Sequence, residues 1–297
     1  MAAPAPTLLV DTYSVFFRAY HALPAMNTAS GEPTSALYGF STVLLKELRE
    51  RRPTKLAFAV DAPQRTFRHE RYTEYKGRRD AVPSPLVVQL GRLPELLAAF
   101  EVPVFCAPGY EADDVLATLA ERLRAEGRPT LILSGDRDLL QLAHGGVEVL
   151  FIGGRGQKAT LYDAARVQER FAVPPTALAD WIALVGDDSD NLPGVPGVGP
   201  RTASRWVQQF GSVRALLEHL DQVEPPRLRA ELAARRDQLL LNAELTPLRT
   251  DVPLGEGPLS APLSRAALER LRALFEELEF KSLLPRVDAL ATALSSA

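Results

Sequence analysis

Acidic residues follow several short apolar runs in this chain, and this arrangement constrains the fold more than any other feature. Apolar runs of this length are typical of buried parallel β-strands. Because the carboxyl ends of parallel strands meet at one edge of a sheet, acidic side chains placed there lie close together. The three runs and their acids are Thr7–Val10 before Asp11, Leu56–Val60 before Asp61, and Thr130–Leu133 before Asp136 and Asp138.

Helical patterns separate these runs, so the first part of the chain alternates between strands and helices. Ser35–Arg49, Leu86–Phe100 and the stretch from Gly109 to Arg124 are predicted helices. This alternation predicts an α/β domain over residues 1–173, with a mostly parallel sheet flanked by helices. Beyond residue 173 almost every segment has a helical pattern, so residues 174–297 are predicted to form an all-helical second domain.

Further acidic residues open a helix and fill a loop. Glu111, Asp113 and Asp114 stand at the start of a predicted helix, and Asp187 and Asp190 lie between two helices. Each of them could simply cap a helix or offset its dipole, the usual role of an acid at such a position. Many carboxylates near one sheet edge would repel each other, and a hard divalent cation such as Mg2+ or Mn2+ would neutralise them. We therefore predict a metal site.

Composition excludes several other classes of protein. The chain has 297 residues, which suits one large or two modest domains, and its single cysteine excludes an internal disulfide. Its four histidines are scattered and form no zinc-ligand pattern. No apolar run is long enough to span a membrane, and the first residues do not resemble a signal peptide, so we expect a cytoplasmic protein.

A basic segment interrupts this chain, whose formal net charge is −3. Residues 65–79 contain six basic and two acidic residues, a local charge of +4. Such a segment is usually a solvated loop, but interleaved aromatic residues favour a nucleic-acid contact, because bases stack on aromatic rings. We expect it to hold phosphates beside the acidic edge. The residues of interest are Arg68, Tyr75, Lys76, Arg78 and Arg79.

Two glycines separate two predicted helices of the second domain, in Gly197-Val198-Gly199. This segment follows no strand and lacks a third glycine at the right spacing, which excludes a dinucleotide-binding fingerprint. A helix–glycine turn–helix unit is typical of helix-hairpin-helix motifs, whose backbone N–H groups contact a DNA phosphate at a helix N-terminus. A plain tight turn between helices is the alternative.

With these motifs assembled, the chain resembles the 5′-nuclease family, which includes flap endonucleases and the N-terminal 5′–3′ exonuclease domain of bacterial DNA polymerase I. The matching segments occur in family order and cover nearly the whole chain. They are LLVD (Leu8–Asp11), FRAYHALP (Phe17–Pro24), GEPTSALYGF (Gly31–Phe40), VDAP (Val60–Pro63), TFRHERYTEYKGRR (Thr66–Arg79), GYEADDVLATLA (Gly109–Ala120), SGDRDLLQL (Ser134–Leu142), ALVGDDSDNLPGVPGVGPRTA (Ala183–Ala203) and RTDVPL (Arg249–Leu254). The family usually has glycine after the first aspartate, where this chain has Thr12.

The resemblance implies a resolvase-like, or PIN-like, nuclease core with a helical arch near residues 63–90, and it implies two bound metal ions. The positions that match ligands of the first ion are Asp11, Asp61, Asp113, Asp114 and Asp136. The positions that match the second ion's set are Asp138, Asp187 and Asp190, with Glu111 acting through water.

The resemblance also implies contacts to the substrate. The arch positions that touch the scissile phosphate or flap are Arg68, Lys76 and Arg79, with Tyr75 and Arg78 in the same segment. The positions at the DNA junction are Phe17 and Arg18. The positions that grip downstream duplex, often beside a bound K+, are Gly194, Gly197, Gly199, Arg201 and Thr202.

The function implied is a metal-dependent 5′–3′ exonuclease and flap endonuclease acting on nicked, gapped or 5′-flap DNA in replication and repair. Expected partners are this DNA, RNA/DNA hybrids and a DNA polymerase, and the protein is expected to be a monomer. An inactive DNA-junction binding protein is the alternative. A small-substrate phosphohydrolase is disfavoured, because it would leave the basic segment and the glycine turn without a role.

Overall fold

Six strands form the central sheet of the computed structural model, which describes residues 5–78, 81–154 and 156–295. The strands are β1 (Thr7–Asp11), β2 (Lys55–Ala59), β3 (Val104–Phe105), β4 (Thr130–Ser134), β5 (Val147–Phe151) and β6 (Thr160–Tyr162). Their order is β3-β2-β1-β4-β5-β6, and every neighbouring pair is parallel except β5 with β6. The predicted mostly parallel sheet is confirmed, whereas the antiparallel edge strand β6 was not predicted.

Helices surround the sheet and make up most of the second half of the chain. They are α1 (Thr12–Ala22), α2 (Ser35–Arg51), α3 (Phe67–Arg71), α4 (Ser84–Ala99), α5 (Ala112–Ala125), α6 (Ala164–Phe171), α7 (Leu178–Val185), α8 (Pro200–Phe210), α9 (Val213–Glu218), α10 (Pro226–Ala234), α11 (Arg236–Leu245), α12 (Arg265–Glu277) and α13 (Leu284–Ser295). Among the described residues, no helix is both long and apolar enough to cross a membrane.

Alternation along the strands divides their apolar residues between the two faces of the sheet. Leu8 and Val10 of β1 pack on one face, whereas Leu9 packs on the other. Helices α1, α2 and α4 cover the first face, and α5 covers the second, from which the apolar cluster continues into α6 to α9. Both faces are therefore buried, which explains why the strands are almost continuously apolar in sequence.

The last two helices do not stay with the second domain. Phe275 of α12 and Val287 of α13 are buried in the same apolar cluster as Leu8, on the first face of the sheet. A backbone bridge between Leu56 and Ala261 brings the chain back to β2. The predicted division into residues 1–173 and 174–297 is therefore too simple, because the apolar faces of α12 and α13 complete the core of the α/β domain.

The segment predicted to form a helical arch near residues 63–90 contains two helices and a turn in its described part, residues 63–78 and 81–90. The short helix α3 is followed by turn residues, and α4 begins at Ser84. The turn is attached to the second domain, because Lys76 N–H donates to the Asp190 carbonyl (3.1 Å) and the Asn191 amide donates to the Glu74 carbonyl (2.7 Å). These hydrogen bonds hold the turn against the acidic loop of the second domain, a contact that the polar sequence of the segment did not predict.

A small β-hairpin holds the acidic loop of the second domain. Strand β7 (Gly186–Asp187) pairs with β8 (Leu192–Pro193) in antiparallel fashion, and the loop between them carries Asp190. The hairpin stands between α7 and α8, and Gly199 forms the N-cap of α8. This arrangement points the acidic loop toward the carboxyl edge of the sheet, where it meets Tyr75 and Arg137.

Candidate active site

The first group of predicted acids meets at the carboxyl ends of β1 and β4. The pKa of Asp11 is raised from 3.8 to about 7, chiefly by burial and also by the neighbouring Asp136 and Asp61, against lowering hydrogen bonds from Ser134 and Ser14. Burial also raises the pKa of Asp113 well above its ordinary value, with Asp11 and Asp136 adding to the effect. These carboxylates therefore share one low-dielectric site, where each makes ionisation of the others less favourable.

These acids also have local structural roles. The Asp11 carboxylate accepts the Ser14 backbone N–H (3.3 Å) at the start of α1, and Asp61 accepts the Ala112 N–H (2.7 Å) at the start of α5. The Glu111 and Asp114 side chains form a capping box on α5. The capping interpretation is thus correct for these acids, and it does not exclude the metal-site prediction, because a carboxylate has more than one oxygen lone pair.

The second group lies between β4 and the β7–β8 hairpin. Burial raises the pKa of Asp138 well above its ordinary value, and Asp136, Asp187 and Asp190 raise it further. Its buried Oδ1 atom has no hydrogen-bond partner among the described residues. The chain turns between Asp136 and Asp138, where the Asp138 N–H donates to Asp136 Oδ1 (2.9 Å) and Arg137 has helical backbone angles.

Arg137 was missed by the sequence analysis, although it stands between two predicted ligands. Its guanidinium donates to Asp187 Oδ2 (2.8 Å), and its Nε lies 3.9 Å from Asp138 Oδ1. Burial would raise the pKa of Asp187, but hydrogen bonds from Ser189 and Arg137 outweigh it and lower that pKa. Arg137 therefore joins the strand side of the site to the hairpin side.

Lys76 and Tyr75 occupy the centre of the basic segment and face the acids. Lys76 Nζ lies 2.6 Å from Glu111 Oε1 and 3.8 Å from Asp190 Oδ1. The Tyr75 hydroxyl donates to Glu111 Oε2 (3.1 Å) and also contacts the Asp190 carboxylate. Burial opposes ionisation of Glu111, but Lys76 and Arg68 outweigh it and lower its pKa. Tyr75 is only 3% exposed, so the base stacking expected of it is contradicted by its burial.

Arg68 and Asp114 form a buried ion pair beneath this group. The guanidinium makes two hydrogen bonds to the carboxylate, of 2.6 and 2.9 Å, and Arg68 is 2% exposed. A side chain so enclosed does not reach a phosphate at the surface, so this geometry corrects the phosphate contact implied for Arg68. Arg78 is exposed in the turn, and Arg79 lies outside the described residues.

The predicted junction residues lie beside the acidic edge. Arg18 of α1 donates a hydrogen bond to the Gly135 carbonyl and stacks over the Phe151 ring, with 5.4 Å between the guanidinium carbon and the ring centroid. Phe17 is half-buried against the core on the first face of the sheet. Arg18 therefore adds a positive charge next to the turn that carries Asp136.

The glycines predicted to contact DNA in the second domain differ in whether the fold itself requires them. A Cβ on Gly194 would lie 2.0 Å from the Val185 carbonyl oxygen, so Gly194 allows the hairpin to pack on the end of α7. Gly197 has a φ of +81°, and a Cβ on Gly199 would meet nothing within 4 Å. The phosphate contact predicted for Gly194 thus has a packing explanation instead, whereas Gly197 and Gly199 are exposed beside Arg201 and Thr202.

In the described part of the chain, no three acidic, histidine or cysteine side chains form a group that could hold a metal ion as they stand. Lys76 and Arg137 hold two of the predicted ligands, Glu111 and Asp187, through short ion pairs. The chemistry of the remaining acids nevertheless fits a hard cation. Buried carboxylates with raised pKa values and an unpartnered oxygen on Asp138 are the donor set that a divalent ion would neutralise.

Comparison with protein families accounts for almost the whole chain. The family model described as 5′–3′ exonuclease, N-terminal resolvase-like domain, matches residues 6–172, and the one described as 5′–3′ exonuclease, C-terminal SAM fold, matches residues 173–268. The chain belongs to the 5′–3′ exonuclease family. The resemblance inferred from the sequence motifs and the predicted fold class, including a helical second domain, are both confirmed.

Individual relatives agree with this membership of the 5′–3′ exonuclease family. A 5′–3′ exonuclease of Aquifex aeolicus is 38% identical over 282 residues, which cover 94% of each chain. DNA polymerase I of Mycobacterium bovis is 41% identical over 295 residues, covering 97% of this chain. The chain spans 32% of the length of that polymerase.

A solved structure shows the same fold at low sequence identity. It is the bacteriophage T5 D15 flap endonuclease, described as a pseudo-enzyme-product complex with DNA and metal ions. The TM-score is 0.66 at 18% identity, with 97% of this chain and 99% of that chain covered. The likeness extends over both the sheet domain and the helical domain of this 5′–3′ exonuclease family member.

Proposed function

We propose that this chain is a metal-dependent, structure-specific nuclease that acts as a 5′–3′ exonuclease and flap endonuclease on DNA. The observation that carries the proposal is the convergence of buried and half-buried carboxylates at the carboxyl edge of the sheet, above all Asp11, Asp113, Asp136 and Asp138. Such a concentration of buried acids costs folding free energy, and it is retained here in a chain of a nuclease family. Nothing found supports the inactive junction-binding alternative.

The proposal includes two Mg2+ or Mn2+ ions at this site. The first would be held by Asp11, Asp61, Asp113 and Asp136, and the second by Asp138, Asp187 and Asp190. When bound, such ions lower the pKa of a coordinated water and offset the charge of the phosphodiester. Glu111, which is hydrogen-bonded to Tyr75 and ion-paired with Lys76, would act on the second ion through water. Asp114 is not a proposed ligand, because its carboxylate is paired with the buried Arg68.

The chain's own cations have defined tasks in this proposal. Lys76 stands over Glu111 and Asp190, where it would stabilise the negative charge that builds on the phosphate during hydrolysis. Arg79 is proposed for the same task from its place in the family motif. Arg18 and Phe17 would receive the DNA junction beside Gly135. The products would be a 5′-phosphate and a 3′-hydroxyl.

The second domain would hold downstream duplex through its backbone. Gly197 and Gly199 are exposed at the start of α8, and Arg201 is exposed on the first turn of that helix. Backbone N–H groups at a helix N-terminus bind a phosphate without reading base sequence, so recognition would depend on DNA shape. Thr202 and a K+ ion beside these glycines are part of the proposal. The proposed substrates are nicked, gapped and 5′-flap DNA and RNA/DNA hybrids. We propose that the protein is a cytoplasmic monomer that acts in replication and repair together with a DNA polymerase.

Cleavage of a labelled flap tests this proposal. The protein is incubated with a 5′-end-labelled double-flap DNA in Mg2+, in Mn2+ and in EDTA, and the released fragments are sized. Release of the flap close to the junction in Mg2+ but not in EDTA is expected. Tight binding with no cleavage in either metal would favour the inactive junction binder, and cleavage unaffected by EDTA would overturn the metal site.

A further inference from the structure

Arg68 and Asp114 meet where three elements of the fold join. Arg68 lies on α3 at the base of the arch, Asp114 lies in the first turn of α5, and the chain after α11 passes beside both. Arg68 is 2% exposed and Asp114 is fully buried. The sequence motifs assigned the two residues separately, one to the phosphate and one to a metal ion, whereas the structure pairs them with each other.

The hydrogen bonds of Asp114 leave no position for a metal ion. Oδ1 accepts Arg68 Nη2 and the Arg249 backbone N–H, both at 2.9 Å. Oδ2 accepts Arg68 Nη1 at 2.6 Å and the Glu111 backbone N–H at 3.1 Å. A carboxylate offers about four lone-pair positions, so this one is saturated by protein donors. Asp187 also accepts four hydrogen bonds, but one of them comes from Arg137, whose side chain is 39% exposed and free to move aside, whereas the Arg68 side chain is enclosed. Asp138 differs, because its buried Oδ1 accepts no hydrogen bond from the described residues.

The guanidinium of Arg68 is equally committed. Its Nε donates to the Leu245 carbonyl (2.9 Å), and its Nη2 donates to the Pro247 carbonyl (3.3 Å) in addition to Asp114. Guanidinium donors lie in one rigid plane, so these bonds fix the orientation of α3 relative to the end of α11. The lowest part of the arch is thereby attached to the second domain.

We propose that Arg68 and Asp114 are positioning residues that hold the arch base, the start of α5 and the second domain in one geometry, and that neither touches the metal ions or the DNA. The inference rests on the proposed function, since the residues they position are Glu111 and Asp113 on α5 and Lys76 beyond α3. Glu111 depends on the pair directly, because its backbone N–H donates to Asp114.

The sign of a stability change separates a positioning residue from a ligand. In EDTA, Asp113→Asn removes one of several buried repelling charges, so its melting temperature is expected to rise above that of the wild type. Asp114→Asn removes the two hydrogen-bonded charge contacts of the buried Arg68 and leaves it only the Glu111 carboxylate at 3.4 Å, so its melting temperature is expected to fall. Arg68→Met is expected to lower it for the same reason. The neighbouring Asp113 is thus a matched control on the same helical turn.

A double variant supplies the second measurement and remains informative where a single variant fails to fold. Arg68→Met/Asp114→Asn removes both charges together, so it is expected to melt above at least one of the single variants. It is also expected to regain part of the flap-cleavage kcat that each single variant loses. Mn2+ titration of the folded variants is expected to show the same loss of affinity for Asp114→Asn as for Arg68→Met, since both act through position.

Other outcomes overturn the proposal. If Asp114→Asn melts above the wild type in EDTA, as expected for Asp113→Asn, Asp114 behaves as a metal ligand and the proposal is wrong. A loss of Mn2+ affinity in Asp114→Asn with none in Arg68→Met would do the same. Strictly additive effects in the double variant would show that the two residues do not act as a pair. Failure of the wild type to bind Mn2+ or cleave a flap would instead refute the proposed function, and the melting temperatures in EDTA would still test the pair.

Discussion

Single acidic residues in this protein combine two physical roles that a sequence reader treats as alternatives. Asp11 caps α1 by accepting the Ser14 N–H, and Ser134 Oγ donates to the other carboxylate oxygen (2.5 Å). The same carboxylate has a pKa raised to about 7 by burial beside other acids. Capping therefore fixes the direction of the side chain, while burial and repulsion give it an affinity for a cation.

Asp136 provides the most direct test at the residue scale. Asp136→Asn keeps the shape of the side chain but removes one charge, so flap cleavage is expected to fall by roughly 100-fold or more, while DNA binding stays largely intact. The measurements are single-turnover cleavage in Mg2+ and binding of the same flap in EDTA. Asp188→Asn is the matched control, because Asp188 is exposed in the β7–β8 loop and holds no proposed ion. Unchanged cleavage by Asp136→Asn would refute its place in the site.

Residue types at the site could be predicted from the sequence, but their burial could not. The acids after β1 and β4 were found because strand ends can be recognised from apolar runs. Tyr75 and Arg68 were predicted to contact DNA, because exposed aromatic residues stack on bases and exposed basic residues bind phosphates. Their burial depends on contacts with Asp190, Leu245 and Pro247, which lie more than 100 residues away in the chain.

At the scale of elements, the strands and long helices follow from local pattern, whereas the arch base and hairpin depend on close approach. The β7–β8 hairpin packs on the end of α7 only because residues 186 and 194 lack side chains. Gly186 has a φ of +88°, which disfavours other residues there, and the backbone of Gly194 lies against Val185. The sequence motif assigned Gly194 to DNA binding, whereas the structure shows that Gly194 is needed for close packing of the hairpin.

Gly194 and Gly199 are therefore expected to respond differently to alanine. Gly194→Ala places a Cβ 2.0 Å from a backbone oxygen that cannot move alone, so the free energy of unfolding should fall by roughly 2 kcal/mol or more. Gly199→Ala meets no atom within 4 Å and has a φ of −98°, so its stability should stay within about 0.5 kcal/mol of wild type. Urea denaturation of both variants measures this. Equal stability of the two would refute the packing role of Gly194.

At the scale of the whole molecule, the two domains are joined through both faces of the sheet. The apolar cluster on the second face continues through α5 into α6 to α9, and the first face is closed by α12 and α13 after the chain has passed through the second domain. No local pattern could have shown this return, because amphipathic helices fit many surfaces. The acids at the carboxyl edge come from both domains, so their positions depend on the packing of nearly the entire chain.

Phe275 tests whether the returning helices carry part of the core. Its side chain is fully buried on α12, so Phe275→Ala should lower the free energy of unfolding by about 3–5 kcal/mol. Leu294→Ala is the control on α13, because Leu294 is 45% exposed and its loss should cost less than about 0.5 kcal/mol. Chemical denaturation in Mg2+-free buffer gives both values. A small effect of Phe275→Ala would show that α12 is dispensable for the core.

The buried acids also predict how the stability of the whole molecule depends on pH. In EDTA, Asp11 has a folded pKa of about 7 and an ordinary value of 3.8, so the folded protein binds its proton more tightly than the unfolded chain does. That stabilisation is present below about pH 4 and is lost as the pH rises to 7. Asp113 and Asp138 act in the same direction. Glu111 and Asp187, whose pKa values are lowered, contribute stability to the folded protein that is lost only as the pH becomes acidic.

A divalent cation should cancel this loss, because it replaces the protons at the same carboxylates. The melting temperature in EDTA is expected to fall between pH 5 and pH 7.5, and the rise caused by Mg2+ is expected to be larger at pH 7.5 than at pH 5. Asp11→Asn should flatten the EDTA profile, and NaCl at equal ionic strength should not reproduce the effect of Mg2+. An equal Mg2+ effect at both pH values would mean that the ion binds elsewhere, since protons would then not compete with it.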